Sequence, residues 1–209
     1  MSYVLEVQGR EILVDPGTGG YTRDPVMRDR MRSTCSHATV EIDGAEINRI
    51  VPNRLFSMED DDAPRVELVE LAGDDRRALG HIVASHRGYM RLRDPVLHRR
   101  SWRLDSNSLH VRDELECAGP HTVVISFPLA SEVTARESAS GWLIERDGIV
   151  VTLQQVEGPS MVLVSEALSV SPRYGDVRQS QVLRGRLSIT GNVRWTYQWS
   201  IANGTRKHR

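Results

Sequence analysis

Residues Val193 to Ile201 alternate without a break. Val193, Trp195, Tyr197, Trp199 and Ile201 are apolar or aromatic, and Arg194, Thr196, Gln198 and Ser200 between them are polar. A period of two sends successive side chains to opposite faces of an extended chain, so this segment reads as a strand with one dry face and one wet face. The same alternation recurs in Val123-Ile125-Phe127, Ile149-Val151-Leu153, Met161-Leu163 and Val40-Ile42. Turn chemistry separates the runs. Gln8-Gly9 joins Tyr3-Leu5-Val7 to Ile12-Val14, Asp147-Gly148 reads as a hairpin turn, and Asp43-Gly44 ends a strand. The stretch Asp105 to Ser108 links Trp102-Leu104 to Leu109-Val111. Helical character is confined to Asp24 to Arg32, with Pro25 at the first helical position, and a weak stretch around Asp74 to Leu79. Many short strands with little helix predict an all-β fold: a large two-sheet antiparallel β-sandwich with at most one or two short helices, built from residues 1–209 as a single domain.

Composition narrows the function classes. With 27 basic and 28 acidic side chains the net charge is −1, which argues against a surface that grips nucleic acid as a whole. No apolar run approaches the roughly 18 residues of a membrane span. The opening MSYVLEVQGREILVDPG has neither a basic n-region nor a continuous apolar stretch, so no signal peptide is read there. Lys207 is the only lysine, and the remaining 26 basic residues are arginine. Arginine suits bidentate binding of carboxylate or sulfate, but a codon bias spread over the chain is the simpler account. Cys35 and Cys117 lack metal-ligand spacing and are expected as two ordinary buried thiols rather than a disulfide.

Chemistry concentrates in two segments. Leu13-Val14-Asp15-Pro16-Gly17-Thr18-Gly19-Gly20-Tyr21-Thr22 is the richest in glycine and follows a strand, but it lacks the Gly-Lys-Ser/Thr ending of a phosphate loop. It reads either as a turn in which Asp15 bonds nearby amides, or as a close-approach loop in which Asp15 binds metal. The second segment, Arg32-Ser33-Thr34-Cys35-Ser36-His37-Ala38-Thr39-Val40, leads into a strand. Asp15 and His37 form a ligand pair suited to zinc, which requires at least a third protein ligand. The acidic run Glu59 to Asp62 reads as a solvated loop tip. It has neither the alternating spacing nor the glycine of a calcium loop. His81, His86, His98, His110 and His121 read as scattered surface or packing residues, and Trp195 and Trp199 as core rather than a sugar platform.

These segments resemble the C-terminal β-sandwich of the heparinase II/III-like polysaccharide lyases. The residues that carry the resemblance are Val14-Asp15-Pro16-Gly17, Tyr21-Thr22, Arg32-Ser33-Thr34 and His37-Ala38-Thr39-Val40-Glu41. Further along come His86-Arg87-Gly88-Tyr89, His98-Arg99-Arg100, Val111-Arg112-Asp113-Glu114-Leu115 and Ser171-Pro172-Arg173-Tyr174-Gly175, in order over nearly the whole chain. Ala38 departs from the pattern, which has asparagine there. The resemblance implies β-elimination at a uronic acid in an acidic polysaccharide, with a zinc site held by Asp15, His37 and a histidine of an upstream Gly-His-x-His segment. It also implies an N-terminal α/α toroid supplying catalytic tyrosine and histidine. Neither toroid nor Gly-His-x-His is in this sequence, so no catalytic residue is assigned and the chain alone is expected to be inactive, with an incomplete zinc site.

Tyr21 and Arg32 are the expected substrate contacts, Arg32 through a carboxylate; its alternative is a structural pair with a nearby acid. The expected partners are an acidic polysaccharide, the helical domain and a second copy in a homodimer. The family suggests a periplasmic or secreted setting. The competing function is a non-catalytic carbohydrate-binding or structural module, which would bind glycan without product or only dock its helical domain.

Overall fold

The computed structural model describes residues 1–52, 54–55, 57–71 and 79–202. In chain order the elements are β1 (Leu5–Val7), β2 (Arg10–Leu13), α1 (Pro25–Met31), β3 (Val40–Ile42), β4 (Arg65–Leu71), β5 (Gly80–His86), β6 (Leu97–Leu104) and β7 (Ser108–Glu116). There follow β8 (Pro120–Pro128), β9 (Thr134–Ser138), β10 (Gly141–Arg146), β11 (Ile149–Glu157), β12 (Leu163–Arg173), β13 (Asp176–Thr190) and β14 (Val193–Ile201). An eight-stranded antiparallel sheet, in the order β4-β5-β6-β7-β14-β11-β10-β9, packs on a four-stranded sheet, β12-β13-β8-β3. The β1-β2 hairpin forms a third, two-stranded sheet. This is the expected β-sandwich.

The turns follow from residue type. Gln8-Gly9, Asp43-Gly44 and Asp147-Gly148 all have positive φ at both positions, the requirement of a tight turn between right-twisted strands. The one α-helix among the described residues starts where the sequence places it. Asp24 caps it by accepting the Met27 amide at 2.9 Å, and Pro25 follows as the first helical residue. Most of the expected stretch Asp74 to Leu79 lies outside the described residues.

The core lies between the sheets. Trp195, Tyr197 and Trp199 of β14 are fully buried, and the last two meet Phe127 of β8 edge-on, with ring centroids 5.0 Å away for Tyr197 and 5.8 Å for Trp199. Val40, Ile42, Val123, Ile125 and Leu183 complete the facing layer. Both tryptophans are therefore core. Register carries the same inner face outward from β14 to the edge: Trp199 pairs with Leu109, Leu109 with Leu104, Leu104 with Gly80 and Gly80 with Leu71. There the apolar face is exposed, at Leu104, Ile82, Val69 and Leu71.

The acidic run departs from the solvated tip expected of it. Asp61 accepts from Arg49 through both backbone and side chain, and its carboxylate is largely buried; Asp62 accepts the Arg87 amide. The run thus ties its loop to the end of β5.

Candidate functional site

The glycine-rich loop leaves β2 and is fastened from both sides. Asp15 Oδ1 accepts the Gly17 amide at 2.9 Å, and the Ser171 amide donates to the Pro16 carbonyl at 2.7 Å. Gly17 has φ +75°, and a Cβ there would lie 2.3 Å from the Ser171 carbonyl oxygen, so the close approach of β12 admits only glycine. Farther along, the Gly175 amide donates to the Gly19 carbonyl at 2.9 Å, which joins the loop to the β12–β13 hairpin.

The second segment is a platform for His37, and its small polar residues each have a task. Ser33 and Ser36 hydroxyls both donate to the Arg30 carbonyl at 2.7 Å, closing the C-terminus of α1. The Thr34 hydroxyl accepts the Ile47 amide at 2.9 Å, while the Thr34 amide donates to Glu46 at 2.5 Å. A 3-10 turn over Thr34–Ser36 brings the Ser33 carbonyl under His37, whose Nδ1–H donates to it at 2.9 Å. That bond fixes the ring and leaves Nε2 facing Asp15 Oδ2 at 3.3 Å. Asp15 and His37, 22 positions apart in sequence, are therefore adjacent in space. Asp15 is held below the usual carboxylate range by the His37 hydrogen bond, with the Gly17 amide adding to it. Burial pulls His37 down, but Asp15 and the Ser33 carbonyl outweigh it and the ring is raised overall.

The two residues expected at the substrate have different surroundings. Tyr21 is 41% exposed and stacks on Tyr174, with ring centroids 5.3 Å apart and planes inclined by 29°. Arg32 pairs with Asp29 at 3.0 Å and donates to the Arg54 carbonyl at 3.0 Å, leaving its side chain 14% exposed. The structural pair named above as its alternative is thus formed. Arg28, fully buried, braces the loop by donating to the Tyr21 carbonyl at 2.8 Å.

Two histidines read as scattered are instead joined. His86 of β5 and His98 of β6 are opposite one another in register, and Arg100 of β6 is opposite Asp113 of β7, all on the inner face. The donors and acceptors specify one arrangement. The Gly88 amide donates to His86 Nδ1 at 3.2 Å, so His86 Nε2–H donates to His98 Nδ1 at 2.9 Å and His98 Nε2–H donates to Asp113 Oδ1 at 2.6 Å. Arg100 grips Asp113 with Nε at 2.7 Å and NH2 at 3.0 Å. Its NH1 reaches the Ala38 carbonyl at 2.6 Å and the Met1 carbonyl at 2.8 Å. The network is thus anchored one residue beyond His37.

Burial drives His86 down to about 2 and lowers His98 as well. For Asp113 burial works upward, but the Arg100 charge and the His98 bond outweigh it and hold the carboxyl at about 2. One carboxylate, one guanidinium and two neutral rings result. Nothing in the sequence gave the register that assembles them; the one available signal was polar residues on strand faces that otherwise read as inward.

His81, His110 and His121 lie apart, near Glu70, Asp105 and Asp43 respectively. Cys35 and Cys117 are free and only half-buried. Among the described residues no group of three or more His, Cys, Asp or Glu side chains converges to hold a metal ion. Asp15 and His37 fit the partial site the resemblance implies: a carboxylate oxygen and an oriented imidazole nitrogen facing each other, with no third His, Cys, Asp or Glu joining them among the described residues.

Comparison with known proteins gives the following. A family model described as "Heparinase II/III-like, C-terminal" matches residues 1–200. The heparinase III BT4657 gene product shares the fold with a TM-score of 0.76 at 18% identity, over 96% of this chain and 30% of that one. Heparan sulfate lyase HepC from Pedobacter heparinus superposes with a TM-score of 0.76 at 15% identity, again over 96% of this chain and 30% of its own. A structure of heparinase III matches at 16% identity and a TM-score of 0.76, covering 98% of this chain and 30% of that chain. The chain therefore spans about a third or less of the length of these structures. No curated protein matches. No helix among the described residues is long and apolar enough to cross a membrane.

Proposed function

The chain belongs to the heparinase II/III-like C-terminal family, and from that premise we propose that it is the β-sandwich portion of a lyase that cleaves uronic-acid-containing polysaccharides by β-elimination. In such a reaction a base removes the proton α to the carboxylate, and an acid protonates the leaving oxygen. This chain assigns no residue to either task. Its part is to present the glycine-rich loop to the cleft, with Tyr21 toward the glycan and Arg32 holding the platform beneath it through Asp29. The observation that carries the reading is the Asp15–His37 pair, with Nδ1 of His37 anchored and Nε2 turned to the carboxylate.

Asp15 and His37 would hold zinc as two of its protein ligands, the third coming from sequence upstream of β1. Bound zinc would supply a fixed positive anchor for the loop. With two ligands the purified chain is expected to bind zinc weakly and substoichiometrically, and His37→Ala or Asp15→Ala to abolish that binding, as read by titration calorimetry. A full equivalent of zinc retained by both variants would overturn the assignment. The reaction itself is tested by incubating the chain with heparin, alginate and other uronide polymers and following absorbance of the unsaturated product. No turnover is expected from the chain alone. The same chain joined to a family toroid carrying Gly-His-x-His should turn over, and inactivity of that chimaera on every uronide would count against the lyase reading.

A further inference from the structure

Beside the glycine-rich loop, the tip of the β12–β13 hairpin presents a feature that zinc binding and chain packing leave unused. Arg173 and Asp176 pair across the tip, with Tyr174 and Gly175 between them, and Gly175 has φ +76° as the turn requires. Tyr174 is 68% exposed and still stacks on Tyr21. Neither ring is there to fill the core. The segments that carry them are also fastened: the Gly175 amide donates to the Gly19 carbonyl, and the Arg28 side chain donates to the Tyr21 carbonyl. An exposed pair of stacked rings on fastened segments loses little freedom when an amphipathic ring settles on it.

The neighbouring charge completes the pattern. Arg173 is exposed, and among the described residues its guanidinium makes no ion pair; Asp176, close enough to feel its charge, is paired with Arg178 at 2.7 Å. Arg173 lines a cleft of about 430 Å³ together with Asp15, Gly17 and Ser171. The cleft joins the hairpin tip to the Asp15 side of the loop.

We propose that Arg173 and the Tyr174–Tyr21 stack form an acidic-sugar subsite, in which a pyranose ring lies on the exposed tyrosine face and its carboxylate pairs with Arg173. A planar guanidinium that makes no ion pair among the described residues matches a carboxylate in two parallel bonds. The subsite deepens the uronide reading and rests on it for the choice of a carboxylate. A sulfate offers the same charge, so the two sources are separated by the probe.

The test is binding of the intact chain to three hexasaccharides: one of alginate, carrying carboxylate only; one of heparin, carrying sulfate as well; and neutral maltohexaose. Calorimetry or fluorescence anisotropy reads the affinity. The acidic probes should bind more tightly than the neutral one, with alginate retaining the preference. Arg173→Ala should weaken alginate binding about tenfold, bringing it to the neutral level, and Tyr174→Ala should weaken all three by a similar factor. Arg136→Ala removes another exposed charge, on β9, and should change nothing. Equal losses in Arg173→Ala and Arg136→Ala would reduce the effect to diffuse charge and overturn the subsite. So would wild-type affinity in Tyr174→Ala, with its fold verified by circular dichroism. Preference for heparin with none for alginate would assign the site to sulfate and overturn the carboxylate pairing. If the chain binds no probe the subsite falls, while the lyase reading stands or falls separately on the zinc titration and the chimaera.

Discussion

The molecule contains two histidine–aspartate pairs in opposite settings. His98 and Asp113 sit between the sheets with no exposure, closed on one side by His86 and on the other by Arg100. His37 and Asp15 sit on a loop, with side chains 21% and 58% exposed, and one face of the pair is left open. In the buried pair every ring nitrogen and both carboxylate oxygens have partners, so nothing remains to bind a ligand; what it does is hold β5, β6, β7 and the Ala38 carbonyl in one arrangement. In the open pair one bond to Ser33 sets the ring and the remaining nitrogen is presented. The same two residue types are sealed into the structure where their hydrogen bonds are saturated, and stay accessible where they are not, which is what the proposed zinc site requires.

The comparison is broken most forcefully at Asp113. Asp113→Ala leaves Arg100 as a buried charge without its carboxylate and His98 without its acceptor, and should cost about 3–5 kcal/mol. For a chain of this size that lowers the midpoint of thermal unfolding by about 10 °C, measured by calorimetry. A loss under about 1 kcal/mol would mean that the network is not holding the sheet.

Acid separates the pairs next. His86 and His98 have folded pKa values below the ordinary imidazole value, so below about 6.5 the unfolded chain binds more protons and stability falls as pH falls. Asp113, lowered to about 2, adds a loss from about pH 3.8 downward. His37 has the opposite sign: it is raised, so its contribution is full below about 6.5 and is lost as pH rises through its folded value. Stability between pH 6.5 and 4 should therefore fall with acid. The fall should be shallower in His86→Gln, which keeps a donor for His98 but takes up no proton. An unchanged slope in that variant would remove His86 from the acid limb.

The smallest effect is expected at the open pair. His37→Ala removes a half-exposed ion pair and the bond to Ser33, and should cost about 1 kcal/mol at pH 7 while eliminating zinc binding. Thermal melts set beside the metal titration check both halves. A stability loss as large as that of Asp113→Ala would erase the distinction between the two pairs.

Much of the fold was legible in the chain because strand alternation and turn chemistry are local. The β14 alternation, the positive-φ pairs at Gln8-Gly9 and Asp147-Gly148, and the Asp24-Pro25 helix start each depend on a few adjacent residues. Asp15 and His37 were legible for another reason: each stands in a motif whose neighbours match a family pattern, and Ser33, Thr34 and Ser36 are the residues that build the platform. The buried network was not legible, since His86, His98, Arg100 and Asp113 meet only once the register of three strands is set, and no local rule sets it. Tyr174 escaped for the same reason, because its partner Tyr21 lies on a loop far away in sequence.

By itself, then, the sequence determined the alternating strands, the turns between them and the residues that recognise one another as a family motif. These are choices made by neighbouring atoms and by solvent. Which polar side chains are sealed and which are left facing outward was decided only when the two sheets closed. Burial and hydrogen-bond saturation are properties of the assembled surroundings, and they separate Asp113 from Asp15 although the two side chains are chemically identical.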